Sequence, residues 1–238
     1  MSTDAPAIAQ FYASAQGAVV ARLLRARLWR IWPDLAGQSL LGLGYAAPYL
    51  RVHFAMGQTQ RCILFTPEQY GPATFPTGAA SLSCTGEEGR LPFADLSFDR
   101  IMLIHGLEAS ENTRRLLREV WRVLKDDGRL LVITPNRRGL WAHVESTPFG
   151  QGQPYSPGQI KRLLEAAFFR IERHDTALYM PPTRLRWVLR SARFWEGLGR
   201  FMAPQLAGVT LTEAMKDLYT VIPLGAASAR RVVVSESL

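Results

Sequence analysis

The stretch "DRIMLIHGLEASENTRRLLREVWRVLKDDGRLLVITPN", residues 99–136, reads as strand, helix, strand. Ile101 to Ile104 is a short apolar run between polar neighbours, the pattern of a strand buried on both faces. In "ENTRRLLREVWRVL" the residues Leu116, Leu117, Val120, Val123 and Leu124 gather on one side and the charges on the other, which predicts an amphipathic helix. Gly128, in "LKDDG", is expected to end that helix in a left-handed cap, and "GRLLVITPN" supplies the second buried strand. Strands joined by a helix of this length lie parallel, through a right-handed crossover. This one segment therefore commits the chain to an α/β class.

Working outward, "SLLGLG" (39–44) and "RCILFT" (61–66) are further buried strands. Upstream, residues 8–32 have helical spacing, with Val19, Val20, Leu23, Leu24, Leu28 and Ile31 as the stripe and Arg22, Arg25, Arg27 and Arg30 between. Downstream, "SPGQIKRLLEAAFFRI" (156–171) opens with Ser156 as N-cap and Pro157 in the first turn. Alternation of this kind predicts a doubly wound, Rossmann-like sheet whose ligands bind at the carboxyl ends of its strands. Beyond Ile171 the alternation stops. "TRLRWVLRSARFWEGLGRFM" (183–202) is helical and mixes Trp187 and Phe194 with Arg184, Arg190 and Arg193, and "AGVTLTEAMKDLYTVIPLG" (207–225) holds a last strand. The expected organisation is one domain over 1–217, with an N-terminal helical cap at 1–34, a helical insertion at 178–206 and a tail at 218–238.

Composition narrows the partners. The 238 residues carry a formal charge of +8, and Lys125, Lys161 and Lys216 are the only lysines. Arginine-rich surfaces suit phosphates, carboxylates or an acidic protein partner, although biased bacterial codon usage gives the same composition. Dispersed arginines and no element for handling a flipped base argue against nucleic acid. Cys62 and Cys84 stand alone, so neither a disulfide framework nor a metal site is expected. No basic leader opens the chain and no apolar run approaches membrane-spanning length, so a cytoplasmic protein without a transmembrane segment is expected.

Residues 86–139, "GEEGRLPFADLSFDRIMLIHGLEASENTRRLLREVWRVLKDDGRLLVITPNRRG", closely resemble the middle of class I S-adenosylmethionine-dependent methyltransferases of the type-11 group. The shared cadence is an acid, then "LPF", "SFD", an apolar strand, "H-x-LE", a helix ending "RVLK", and "TPN". The resemblance implies a sheet of about seven strands, the last antiparallel. It also implies S-adenosylmethionine as cofactor, S-adenosylhomocysteine as product, and binding across the ends of the first, second and fourth strands. The implied activity is methyl transfer to a small-molecule, anionic or protein substrate. The alternative is an inactive binding or assembly module of the same fold, acting through a protein partner.

Aligned with the family's first motif, "LLGLGYAAP" puts Gly42 at the acid, Gly44 at the first glycine, Ala46 at the second and Pro48 at the third. The expected cofactor contacts are Gly42, Gly44, Tyr45, Ala46, Glu68, Glu87, Glu88 and His105. Glu87 stands where the family's acid meets the adenine amino group, and Glu68 is the nearest substitute for the ribose-binding acid. His105 and His143 are the candidate general bases, and Asn136 is a candidate for orienting substrate through its amide. The glycine- and proline-rich loop "HVESTPFGQGQPYS" (143–156) is expected to set specificity.

Overall fold

The computed structural model describes residues 5–55, 59–76 and 82–218. Seven strands form one sheet: β1 (Ser39–Gly44), β2 (Arg61–Pro67), β3 (Ser83–Gly86), β4 (Phe98–Ile104), β5 (Leu124–Pro135), β6 (Phe169–Ala177) and β7 (Val209–Lys216). Their order is β3-β2-β1-β4-β5-β7-β6. The first five run parallel, and β7 lies antiparallel between β5 and β6. The doubly wound sheet with a final antiparallel strand is thus as the sequence predicts.

The helices are α1 (Ala5–Ala13), α2 (Ala15–Ile31), α3 (Ala47–Ala55), α4 (Thr113–Val123), α5 (Pro157–Ala166), α6 (Arg186–Arg190) and α7 (Ala192–Met202). Strand side chains alternate between two cores, as period-2 geometry requires. Leu40, Met102, Ile104, Leu131 and Ile133 face α1, α2, α3 and α6. Leu41, Leu43, Ile101, Leu103 and Val132 face α4 and α5.

Two local expectations need correction. The helix read over 8–32 is two helices, because Ser14 leaves helical geometry (φ −76°, ψ 162°) and its hydroxyl caps α2 by accepting from the Gly17 amide. That break turns α1 across the carboxyl edge of the sheet. Gly128 caps nothing: α4 ends at Val123, Leu124 is already extended, and Gly128 lies within β5 without a positive φ. By contrast Ser156 makes a full capping box with Gln159, and Pro157 begins α5. The tail beyond Leu218 lies outside the described residues.

The insertion joins the end of β6 to the start of β7. Since β6 runs with the parallel strands and β7 against them, both ends lie at the carboxyl edge, and α6 and α7 stand on the ligand side of the sheet. The far end of α2 is tied down by Trp32, whose indole N–H donates to the buried Glu213 carboxylate of β7 at 2.8 Å.

Gly44 is the tightest point. It has φ +79°, and a Cβ there would lie 2.3 Å from the Ile104 carbonyl oxygen and 3.1 Å from the Gly106 nitrogen. Only glycine lets the β1 and β4 ends approach this closely. Gly44→Ala is expected to destabilise the protein by about 1–3 kcal/mol or more, read as a lowered urea midpoint with an unchanged slope.

Candidate functional site

Three strand ends converge here: Gly44–Tyr45 from β1, Pro67–Glu68 from β2 and His105–Gly106 from β4. The Tyr45 amide donates to the Ile104 carbonyl at 2.9 Å, which locks the first and third together. His105 leaves β4 in the left-handed region, φ 53°, which a non-glycine residue adopts only where its surroundings enforce it. The Tyr70 hydroxyl donates to its carbonyl. The effect is to aim the imidazole inward, where it is buried.

A continuous hydrogen-bonded line runs through that ring. His105 Nδ1 lies 3.1 Å from Glu108 Oε1, His105 Nε2 lies 2.7 Å from the Tyr12 hydroxyl, and that hydroxyl lies 2.6 Å from the Tyr49 hydroxyl. The consistent assignment has Tyr49 donating to Tyr12, Tyr12 to Nε2, and Nδ1–H to Glu108 Oε1, with Glu108 Oε2 buried without a partner. Burial and the neighbouring Tyr49 push the Tyr12 hydroxyl well above its ordinary pKa, and burial raises Tyr49 as well. The Tyr12 ring stacks on Tyr45, centroids 5.3 Å apart, and Phe149 closes the far side of His105 at 4.9 Å. Helix α1 therefore roofs the β1–β4 turn.

Beside this network, on the β2–β3 side, is an acidic cleft of about 290 Å³, whose walls include Glu68, Glu87, Glu88, Asn112 and Arg115. It falls at the small end of the range for ligand sites. Glu87 is half-exposed and paired with Arg115 at 2.7 Å. Glu88 is the inward acid. One oxygen accepts from the Ser110 hydroxyl, the other is buried without a partner, and burial raises its pKa. The two sites are linked through the chain: Glu108 belongs to the network, and Ser110 and Glu111 to the cleft.

Other expected residues lie elsewhere or are already occupied. Gly42 sits inside β1 under α3, where a Cβ would meet Leu50 at 2.6 Å, so packing accounts for the glycine. Asn136 has no free amide. Its nitrogen donates to the Gln205 and Ala207 carbonyls at 2.9 and 2.8 Å, and its oxygen accepts from the Arg138 amide, so it fastens the insertion to the end of β5. His143 is exposed at the end of the turn Leu140–His143 and takes no part in the network. Ala46 is fully buried, its carbonyl starting α3 by accepting from Tyr49 and Leu50. Pro48 falls in the first turn of α3, where a missing N–H breaks no helical bond.

The sequence reading missed Tyr12, Tyr49 and Tyr70. No local pattern marks them, since Tyr12 meets His105 across 93 positions.

A family model described as a methyltransferase domain, of type 11, matches residues 45–132, which include the α3 entry, the acidic cleft and the His105 end of β4. Over those residues the chain is similar to the type-11 methyltransferase domain, and its sheet has the fold of solved methyltransferase structures. Demethylmenaquinone methyltransferase of Deinococcus radiodurans is 36% identical over 85 residues, covering 34% of this chain and 35% of that protein. The match thus spans about a third of that relative's length. Among solved structures, a Haloferax volcanii methyltransferase complexed with the Trm112 activator superposes with TM-score 0.61 at 16% identity, over 87% of this chain and 96% of that one. A SAM-dependent methyltransferase of Archaeoglobus fulgidus gives TM-score 0.57 at 19% identity, over 82% and 94%.

The A. fulgidus neighbour is described as dependent on S-adenosylmethionine. The residues at the strand ends fit it. Glu88 offers an unpartnered buried oxygen to a hydroxyl or amino donor, Gly44 allows the close turn, and Tyr12 and Tyr45 present aromatic surface that suits a cation. No helix of the described residues is long and apolar enough to cross a membrane.

Removing the Tyr12 hydroxyl leaves two buried partners short of a bond. Tyr12→Phe is expected to cost about 1–3 kcal/mol, whereas Glu87→Ala, at an exposed ion pair, is expected to cost less than about 1 kcal/mol; urea unfolding measures both. The raised Tyr12 and Tyr49 values also set a pH dependence. Above about pH 10 the unfolded chain releases tyrosine protons that the folded chain keeps, so stability falls as pH rises, by roughly 1.4 kcal/mol per pH unit for each tyrosine. Wild type is expected to lose its melting temperature more steeply above pH 10 than Tyr12→Phe.

Proposed function

We propose that this protein is an S-adenosylmethionine-dependent methyltransferase acting on a small-molecule or protein substrate. The observation that carries the reading is the adjacency of the acidic cleft to the buried Tyr49–Tyr12–His105–Glu108 line, across the one turn that Gly44 makes possible. In this reading Glu68 and Glu88 hold the adenosine end, with Glu87 at the rim. Tyr45, Ala46, His105 and the β1 turn border the reacting end. The bound cofactor supplies a methyl group already activated on a sulfonium, so the protein's main task is alignment.

His105 and Tyr12 handle the proton. Glu108 fixes the tautomer, which leaves Nε2 able to accept through the Tyr12 hydroxyl a proton released by the methyl acceptor. Burial and the stacked aromatic rings exclude water from this line. The H. volcanii complex with an activator supports looking for a protein partner here as well.

Calorimetric titration with S-adenosylmethionine and S-adenosylhomocysteine tests the reading. Binding of both is expected, and Glu88→Gln is expected to weaken it about tenfold, while Glu87→Ala changes it little. No binding at millimolar ligand would overturn the proposal in favour of a non-catalytic module. With an acceptor in hand, His105→Asn is expected to lower kcat with little change in cofactor affinity.

A further inference from the structure

Helix α7 has three faces. Ala192, Trp195 and Gly199 pack inward, the last against Tyr179. Arg193, Glu196, Gly197 and Arg200 form one wall of a cleft of about 450 Å³, whose other wall is Arg22, Arg27 and Arg30 of α2. The third face carries Phe194, Leu198, Phe201 and Met202, and on the helix surface positions four, seven and eight apart fall together. These side chains are 61%, 37%, 89% and 71% exposed, and Trp187 of α6, at 62%, extends the patch.

Single exposed apolar residues are ordinary, but four large ones on one helix with Trp187 beside them make a patch that soluble surfaces rarely carry without use. The charge beside it is one-sided. Five arginines line the cleft against one acid, and Glu196 is already occupied in accepting from the Leu178 and Tyr179 amides. Arg27 is fixed to Asp175 and the Thr176 carbonyl, with its Nε left without a partner, and Arg184, Arg186 and Arg190 add exposed cations along α6.

We infer that α6 and α7 dock the protein on an anionic lipid surface, with Trp187, Phe194, Phe201 and Met202 among the acyl chains and the arginines of α2 and α7 against headgroup phosphates. Protruding aromatic tips above a basic stripe are the features of a helix lying in a bilayer interface. A pre-formed protein pocket is a poorer match, because the apolar tips project outward while the charge of the concave part is dominated by arginine. Because the insertion stands at the carboxyl edge of the sheet, docking brings the site's own rim to the bilayer, so an apolar or amphiphilic substrate is the class such placement serves. The docking surface stands apart from the cofactor reading, and its test requires no cofactor.

Co-sedimentation of the whole protein with vesicles of phosphatidylcholine alone, and of phosphatidylcholine mixed with phosphatidylglycerol, tests it. Binding to the mixed vesicles only is expected, falling as salt rises. Phe194→Ser with Phe201→Ser is expected to abolish binding without lowering the melting temperature, since both side chains are exposed. Arg193→Gln with Arg200→Gln is expected to weaken it about 25-fold, near fivefold per arginine. Arg114→Gln with Arg118→Gln, on α4 across the sheet, is expected to change it less than about twofold. Three results overturn the inference: no vesicle binding, equal binding to both vesicle types, or self-association through this face without vesicle binding. Retention on an acidic protein or on duplex nucleic acid in place of vesicles overturns it too.

Discussion

The close approach of two strand ends is the constraint from which the site follows. Gly44 turns with a positive φ against the Ile104 carbonyl, the Tyr45 amide bonds to that same carbonyl, and the next residue, His105, is left in a left-handed conformation that aims its ring inward. A side chain at position 44 would lie 2.3 Å from the Ile104 carbonyl oxygen, well inside van der Waals contact, so the two turns would have to separate at the residue that precedes the imidazole. The parallel sheet supplies this geometry cheaply, because β1 and β4 are hydrogen-bonded neighbours up to Gly44 and Ile104.

Buried carboxylates then do different work according to what surrounds them. Glu108 accepts from the imidazole it orients through one oxygen, and Glu213 accepts from the Trp32 indole with Arg129 and Arg173 at 3.8 and 3.9 Å. Glu88, like Glu108, keeps one buried oxygen without a partner, and Glu88 also lines the cleft. Leaving such an atom unpaired costs free energy in the folded protein, and a ligand donor would recover it. Its neighbour Glu87, in the same acidic dipeptide, faces out to Arg115 and carries no such cost.

Strands β1, β2, β4 and β5 and their parallel sense were legible because buried strands are short apolar runs and the helix between β4 and β5 has a clean stripe, both local patterns; β3 has no apolar run, and the start of β6 lies within what reads as a helix over 156–171. The capping box at Ser156 was legible for the same reason: its partners are three residues apart. The break at Ser14 was not, because Val19 to Ile31 keep one stripe regardless of where the preceding turn goes. Gly128 misled because a glycine after a helix most often caps it, whereas here the chain enters β5 directly. Asn136, read as a free amide at the strand end, is consumed by carbonyls roughly seventy positions away, a demand that only the folded insertion creates.

By itself the sequence determined the α/β class and the parallel sense of β1, β2, β4 and β5, because these are written in spacing that neighbours along the chain enforce, and its resemblance to type-11 methyltransferases pointed to the acids of the cleft and to His105 at the end of β4. Tertiary structure alone decided which of two adjacent glutamates turns inward, that Tyr12 and Tyr49 complete the line through His105, and that the described residues leave the aromatic face of α7 uncovered at the rim. Those are contacts, or absences of contact, between residues tens of positions apart, and no local periodicity encodes them.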